Sequence, residues 1–334
     1  MLFVIGILST LVIGFLIGQG LQNSRPGERF VDPLLQVSIG LMLLMLGMRM
    51  GSNEEVIRNF GQIGLVSAII TVLLWIGGVA GVVIARKALG LDKYARMKRD
   101  AGSEEGPLDP SGTEDRDAEA GTNSGTLTTI VILASVTAGL LLGYFLIRRV
   151  LEEQQYVLFD EYSRKLMMAG LFMLVFLIGY SMGLAGTVIQ EIRKAGFRVF
   201  VIALSVIAGT TVMGVFCGLV LPQITLRESL AVSYGFGWFT YAPILIEGAG
   251  HEIAAAISFM HNVMRELFGI VLIPILARKL GYLEVCSLPG IASMDVGMPV
   301  VRQACREDIV IYGFVIGFMD ELAAIVLMPL AIGA

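Results

Sequence analysis

Long apolar runs alternate with short polar ones along the whole chain. Residues 2–20, 33–50, 62–85, 126–147, 166–184, 199–221, 253–277 and 309–330 are almost free of charge. Each approaches or exceeds the roughly 20 residues that a helix needs to cross a hydrocarbon core. Two further apolar stretches, 229–247 and 287–300, are interrupted. Gly235, Gly237 and Pro243 break the first, and Pro289, Gly290 and Pro299 break the second. The pattern predicts an all-α polytopic membrane protein with about eight spans plus two broken or re-entrant segments. If both broken segments crossed fully, the count would be about ten spans instead.

Residues 86–125 depart from this pattern. They begin basic, with Arg86, Lys87, Lys93, Arg96, Lys98 and Arg99, and turn acidic and rich in Gly, Pro and Ser. Such a stretch buries too little apolar surface to fold, and it reads as a disordered cytoplasmic tether between 1–85 and 126–334. The spans on either side echo one another. Gly14-Phe15-Leu16-Ile17-Gly18 resembles Gly139-Leu140-Leu141-Leu142-Gly143, and the run ending in Gly47 and Gly51 resembles the run ending in Gly179 and Gly183. A unit of three spans, repeated, places the second copy upside down, as in inverted-repeat transporters. The same GxxxG spacing also arises from helix packing alone.

Composition sharpens the class. Of 334 residues, 56% are hydrophobic and 16% charged, with a mean hydropathy of +0.80. A soluble domain carries about 25% charge. The formal net charge of -4 gives no footprint for nucleic acid. Cys217, Cys286 and Cys305 have no metal or redox spacing and read as packing residues, and His251 and His261 are too few for a histidine metal site. Residues 1–21 lack a basic leader and a clear cleavage site, so they read as a retained first helix. The distribution of Lys and Arg between alternate loops favours an N-terminus outside, with the basic part of 86–125 in the cytoplasm. Arg49 ends its span where a long side chain reaches the headgroups. Neither a nucleotide loop nor a nucleophile elbow is found, so the chain reads as a non-enzyme without a cofactor.

The candidate chemistry lies in the last third. Glu266 sits inside an apolar run, with Asn262 four residues before it and Gly269 three after, so a carboxylate, an amide and a gap share one helix face. Arg265 is adjacent and is available to pair with a buried acid, which by itself would only tie two helices. Asp295 and Ser293 occupy the second broken segment, where freed carbonyls beside a carboxylate suit a cation; a turn at the membrane surface explains them equally well. The stretch Gly235-Phe236-Gly237-Trp238-Phe239-Thr240 forms either an unwound, aromatic-lined path or an interfacial aromatic belt. Glu247 lies near a segment end and reads as exposed. Asp320 and Glu321 are neighbours in the last span, with Gly313, Gly317 and Glu321 on one face. In hydrocarbon such a pair needs a retained proton, a cation or a basic partner such as Arg265; near the surface it needs none of these.

These residues carry a resemblance. Gly235-Phe236-Gly237-Trp238, Arg265-Glu266-Leu267 followed by Ile273-Pro274, Ser293-Met294-Asp295 with Pro299-Val300, and Gly313-Phe314 are similar, in order and spacing, to the LysO family of bacterial lysine exporters. The resemblance implies a secondary transporter of the inner membrane. It would export L-lysine or a related cationic amino acid by antiport against protons or sodium, through membrane-embedded acids of which Glu266 is one. The site set is then Glu266, Asp295, Asn262, Ser293, Arg265, Trp238, Gly235, Gly237, Thr240, Asp320 and Glu321, with no metal. The partners are a small solute and the lipid bilayer, and a homodimer stays open. The chain departs from the family pattern at Phe239 to Pro243, His261, Ala292 and Tyr312, and Asp320-Glu321 is an addition. An ion-coupled carrier of another small organic solute is the alternative reading.

Overall fold

The structure is a computed structural model and describes residues 2–21, 28–96, 134–186 and 196–333. It is all-helical, as expected for a multi-pass membrane protein. The helices are α1 (Leu2–Gly20), α2 (Glu28–Ser52), α3 (Glu54–Arg58), α4 (Phe60–Ala88), α5 (134–150, with a π-helical turn at Gly143–Ile147), α6 (Glu153–Ala185) and α7 (Phe197–Val220). They continue with α8 (Leu226–Ser233), α9 (Ala242–Gly248), α10 (Glu252–Leu280), α11 (Tyr282–Cys286), α12 (Met298–Ala304) and α13 (Val310–Ile332). Among the described residues, 5 helices are long and apolar enough to cross a membrane: Phe60–Ala88, Gln154–Leu184, Phe197–Val220, Glu252–Leu280 and Val310–Ile332. Ile5–Gly20 and Val37–Ser52 are shorter apolar helices. The first part of the 126–147 run lies outside the described residues.

Boundaries differ from the hydropathy pattern where charge is paired along a helix. The stretch 148–165, polar enough to read as a loop, is helical from Glu153 onward. Glu152 and Gln155 close a capping box at its start, and Asp160–Arg164 (3.2 Å) and Glu161–Lys165 (2.6 Å) pair one turn apart. Likewise α4 runs through Arg86 to Ala88. The segment Leu91 to Arg96 is held against α11: the amide of Tyr282 donates to the Lys93 carbonyl (2.9 Å), and Tyr94 packs edge-on to Tyr282. Residues 97–133 and 187–195, which include the rest of the polar stretch and most of the polar connection between the 166–184 and 199–221 runs, lie outside the described residues.

Small residues set the helix pairing. α1 packs on α6, α2 on α5, and α4 on α7. A Cβ added at Gly14 or Gly18 would strike the α6 backbone at Phe176 or Tyr180, and one at Gly179 or Gly183 would strike α1 at Leu11 or Phe15. Gly47 and Gly51 meet α5 at Val136 and Leu140 in the same way, and Gly139 and Gly143 meet α2 at Leu44 and Met48. Thus each repeated motif packs against the other motif from the opposite half of the chain. Gly77 and Gly81 of α4 lie against Gly209 and Ser205 of α7. Backbone contact this close is how membrane helices gain dispersion energy without a hydrophobic drive. Cys217, Cys286 and Cys305 are free and buried, as packing residues should be.

Candidate substrate and ion site

The two interrupted segments meet in the middle of the fold. α8 ends at Ser233 and α9 starts at Ala242; the chain between them is non-helical. The second segment runs from α11 through a 3-10 turn, Gly290–Met294, to α12. The amide of Ile291 donates to the Phe236 carbonyl (3.0 Å), joining one break to the other. Phe236 has φ +47 and Gly237 φ +93, while Gly290, beneath them, has φ +67. Left-handed backbone is expected of the glycines but strained at phenylalanine. Phe236 is held there by burial of its whole side chain and by the Ile291 bond.

Helices α10 and α13 flank this crossing. Asn262 of α10 accepts from the Gly237 amide (2.8 Å) and donates to the carbonyl and hydroxyl of Ser258 (2.8 and 3.0 Å). It therefore pins the first break. Two turns on, Gly269 lets α10 approach the second break: a Cβ there would lie 2.7 Å from the Cα of Pro289. Glu266 lies between these two contacts and is half-buried. On α13, Gly317 makes room for the Ile291 carbonyl, and Glu321 follows one turn later. Ser293 is buried and donates to the carbonyl of Cys286, so its hydroxyl braces the second break from within. Gly235 lies tight against Asn262, where a Cβ would come within 2.6 Å of its Nδ2. Trp238 stacks on Tyr241 at 4.5 Å between centroids, and Thr240 is buried beside them.

Three carboxylates gather where the second break passes between α10 and α13. Asp295 interacts electrostatically with both Glu266 and Glu321. Exposure falls through the group: Asp295 is exposed, Glu266 half-buried and Glu321 2% exposed. The Asp295 carboxylate accepts from the Val296 amide (2.6 Å). Arg265 and Asp320, each 0% exposed, occupy the neighbouring sector of the same two helices. The crossing brings these residues near one another: Asn262, Ser293, Gly235 and Gly237 hold its backbone, Trp238 and Thr240 are buried in the first break, and Arg265, Glu266, Asp295, Asp320 and Glu321 lie around it.

Several partners were invisible in the sequence. Arg49 does not snorkel, and Glu247 is not exposed. They bond to each other at 5% and 2% exposure, and Arg49 also reaches Asp160 (2.8 Å) and Ser163 (2.7 Å). α9 is thereby tied to α2 and α6. At the other break, Arg86 pairs with the fully buried Glu284 of α11 at 2.6 Å. Trp75 of α4 donates to the Leu288 carbonyl (2.8 Å), and His261 bonds Thr71 (2.9 Å). Only proximity across 111 to 213 positions creates these pairs, and no local spacing signals them.

The family model for "Lysine exporter LysO" matches residues 8–103 and 126–332. The chain belongs to the lysine exporter LysO family. It is 28% identical over 158 residues to the Lysine exporter LysO of Escherichia coli (strain K12), covering 47% of this chain and 52% of that protein. It is 23% identical over 134 residues to a Putative lysine exporter of Haemophilus influenzae (strain ATCC 51907 / DSM 11121 / KW20 / Rd), covering 39% of this chain and 66% of that one. The chain thus spans between half and two thirds of the length of these curated relatives. As a member of LysO, it is a transporter-family membrane protein rather than an enzyme-family one.

Proposed function

We propose that this LysO chain exports L-lysine, or a related cationic amino acid, across the inner membrane by antiport against protons or sodium. The observation that carries the reading is the trio Asp295, Glu266 and Glu321, graded from exposed to buried beside two broken helices. Carboxylates gathered in low dielectric repel one another and are stable only with protons or cations among them. An ammonium group and a coupling cation compete naturally for such a cluster, which is the requirement for antiport. The cross-pairing of the glycine motifs supports reading 1–85 and 126–221 as inverted repeats, since a two-fold relation exchanges α1–α6 with α5–α2. With the N-terminus outside, the basic residues from Arg86 onward lie in the cytoplasm.

The test is lysine counterflow in proteoliposomes, wild type beside Glu266→Gln, with and without an imposed proton or sodium gradient. Gradient-dependent lysine flux that the variant loses, at equal insertion and folding, is the expected result. Folded wild type that moves no lysine would overturn the substrate, and flux indifferent to Glu266→Gln would overturn the site.

A further inference from the structure

Arg265 is the largest fully buried side chain among the described residues. Its guanidinium lies 5.4 Å from the centroid of the Phe236 ring, at the crossing of the two breaks. None of its three nitrogens makes a hydrogen bond. Asp320, also 0% exposed, has neither carboxylate oxygen bonded. Arg265 and Asp320 interact electrostatically, yet they form no ion pair. The other buried arginines behave differently: Arg49 and Arg86 each hold a carboxylate directly. Buried polar groups are almost always bonded, and a buried charge without a partner is costly. A facing cation and anion that leave all their bonding capacity unspent, deep inside a transporter, mark a place for a ligand that carries both charges.

The position fits an α-amino acid. Arg265 and Asp320 immediately precede Glu266 and Glu321 on α10 and α13. Successive helix residues point into adjacent sectors, so the Arg–Asp pair and the carboxylate trio adjoin across the same two helices. We infer that Arg265 and Asp320 form the head-group subsite. The α-carboxylate bonds the planar Arg265 fork, and the α-ammonium bonds Asp320. This inference rests on the export reading above and names which end of the substrate goes where. The side-chain ammonium then extends to Glu266, Asp295 and Glu321. A cationic amino acid offers one anion and two cations in that order, and the two sectors present one cation and four carboxylates.

Truncated ligands test each half. Binding is measured to purified full-length protein in nanodiscs with lysine, lysinamide (no carboxylate) and 6-aminohexanoate (no α-ammonium). Wild type is expected to prefer lysine over each analogue by on the order of 10- to 100-fold, the range for charge-assisted hydrogen bonds. Arg265→Gln should collapse the lysine-to-lysinamide ratio toward one, and Asp320→Asn the lysine-to-6-aminohexanoate ratio, each leaving the other ratio standing. A purely structural role would weaken all ligands together. Wild type that binds lysinamide as tightly as lysine overturns the inference even if neither variant folds, and so does a ratio that survives its variant. Glu266-dependent lysine binding without analogue discrimination sinks the subsite and leaves the export reading intact. Absence of lysine binding in folded wild type overturns both.

Discussion

The Phe236 carbonyl accepts from the Ile291 amide at 3.0 Å, and this one backbone bond joins the two interrupted segments. Phe236 makes this bond at φ +47, a region that costs a residue with a Cβ about 1–2 kcal/mol. The usual ranking of substitutions should therefore invert there. In a helix or strand interior, glycine is about 0.5–1 kcal/mol worse than alanine. At this position Phe236→Gly should be more stable than Phe236→Ala by about 1 kcal/mol, although both lose the buried ring. Melting temperatures in detergent decide it, and an alanine variant at or above the glycine variant would show that the backbone carries no such strain.

The approach of α10 to Pro289 makes a second contrast. A Cβ at Gly269 would lie 2.7 Å from the Pro289 Cα and 2.8 Å from its nitrogen, both backbone atoms that cannot swing aside. Gly269→Ala should cost about 1–3 kcal/mol through overpacking. At Gly64 of α4 the nearest atom to an added Cβ is the Met260 sulfur at 4.0 Å, so Gly64→Ala should be neutral or stabilising by about 0.5–1 kcal/mol. Equal melting temperatures for the two variants would refute the close approach.

These contacts show what could and could not be read from the chain alone. The breaks announce themselves through Gly235, Gly237, Pro289 and Gly290, and the acids through their apolar surroundings, because both signals are local. Their convergence is not local: Gly237 meets Asn262, and Phe236 meets Ile291, only in three dimensions. Glu247 reads as exposed because it lies near the end of an apolar stretch, and Arg49 reads as a headgroup anchor for the same reason. Each assignment fails because its partner is 198 positions away. The charged stretch 148–165 reads as a loop because hydropathy counts charges without noticing that they pair one turn apart. For Asn262 and Ser293, residue type indicated polar function, and the structure spends their hydrogen bonds on holding the backbone of the breaks.

The Arg49–Glu247 pair should behave as a buried ion pair rather than a surface one. Removing Arg49 strands the Glu247 carboxylate at 2% exposure, which typically costs about 3–5 kcal/mol, whereas Arg49 without Glu247 keeps Asp160 and Ser163. Arg49→Ala should cost more than Glu247→Ala, since it also releases Asp160 and Ser163. The double variant should be more stable than the sum of the single losses predicts, because the second change removes the stranded charge. Additive losses in a thermal or denaturant series would mean that the two groups do not depend on each other.

Accessibility offers the most direct check on the graded trio. Asp295 is exposed and Glu321 is 2% exposed, although both interact electrostatically within one cluster. Exposure in a membrane protein can mean water or lipid, and only water supports a route for an ammonium group. A thiol reacts with maleimide as the hydrated thiolate, so chemistry separates the two cases. The native Cys217, Cys286 and Cys305 are all buried and should label slowly, giving a quiet background. In membrane vesicles, Asp295→Cys should label rapidly with a charged, impermeant maleimide, and Glu321→Cys should label slowly. Comparison of right-side-out with inverted vesicles then identifies the side to which this conformation opens. If Asp295→Cys resists the charged reagent from both sides but takes up an apolar one, Asp295 faces lipid, and the carboxylates do not form a wet path to the crossing.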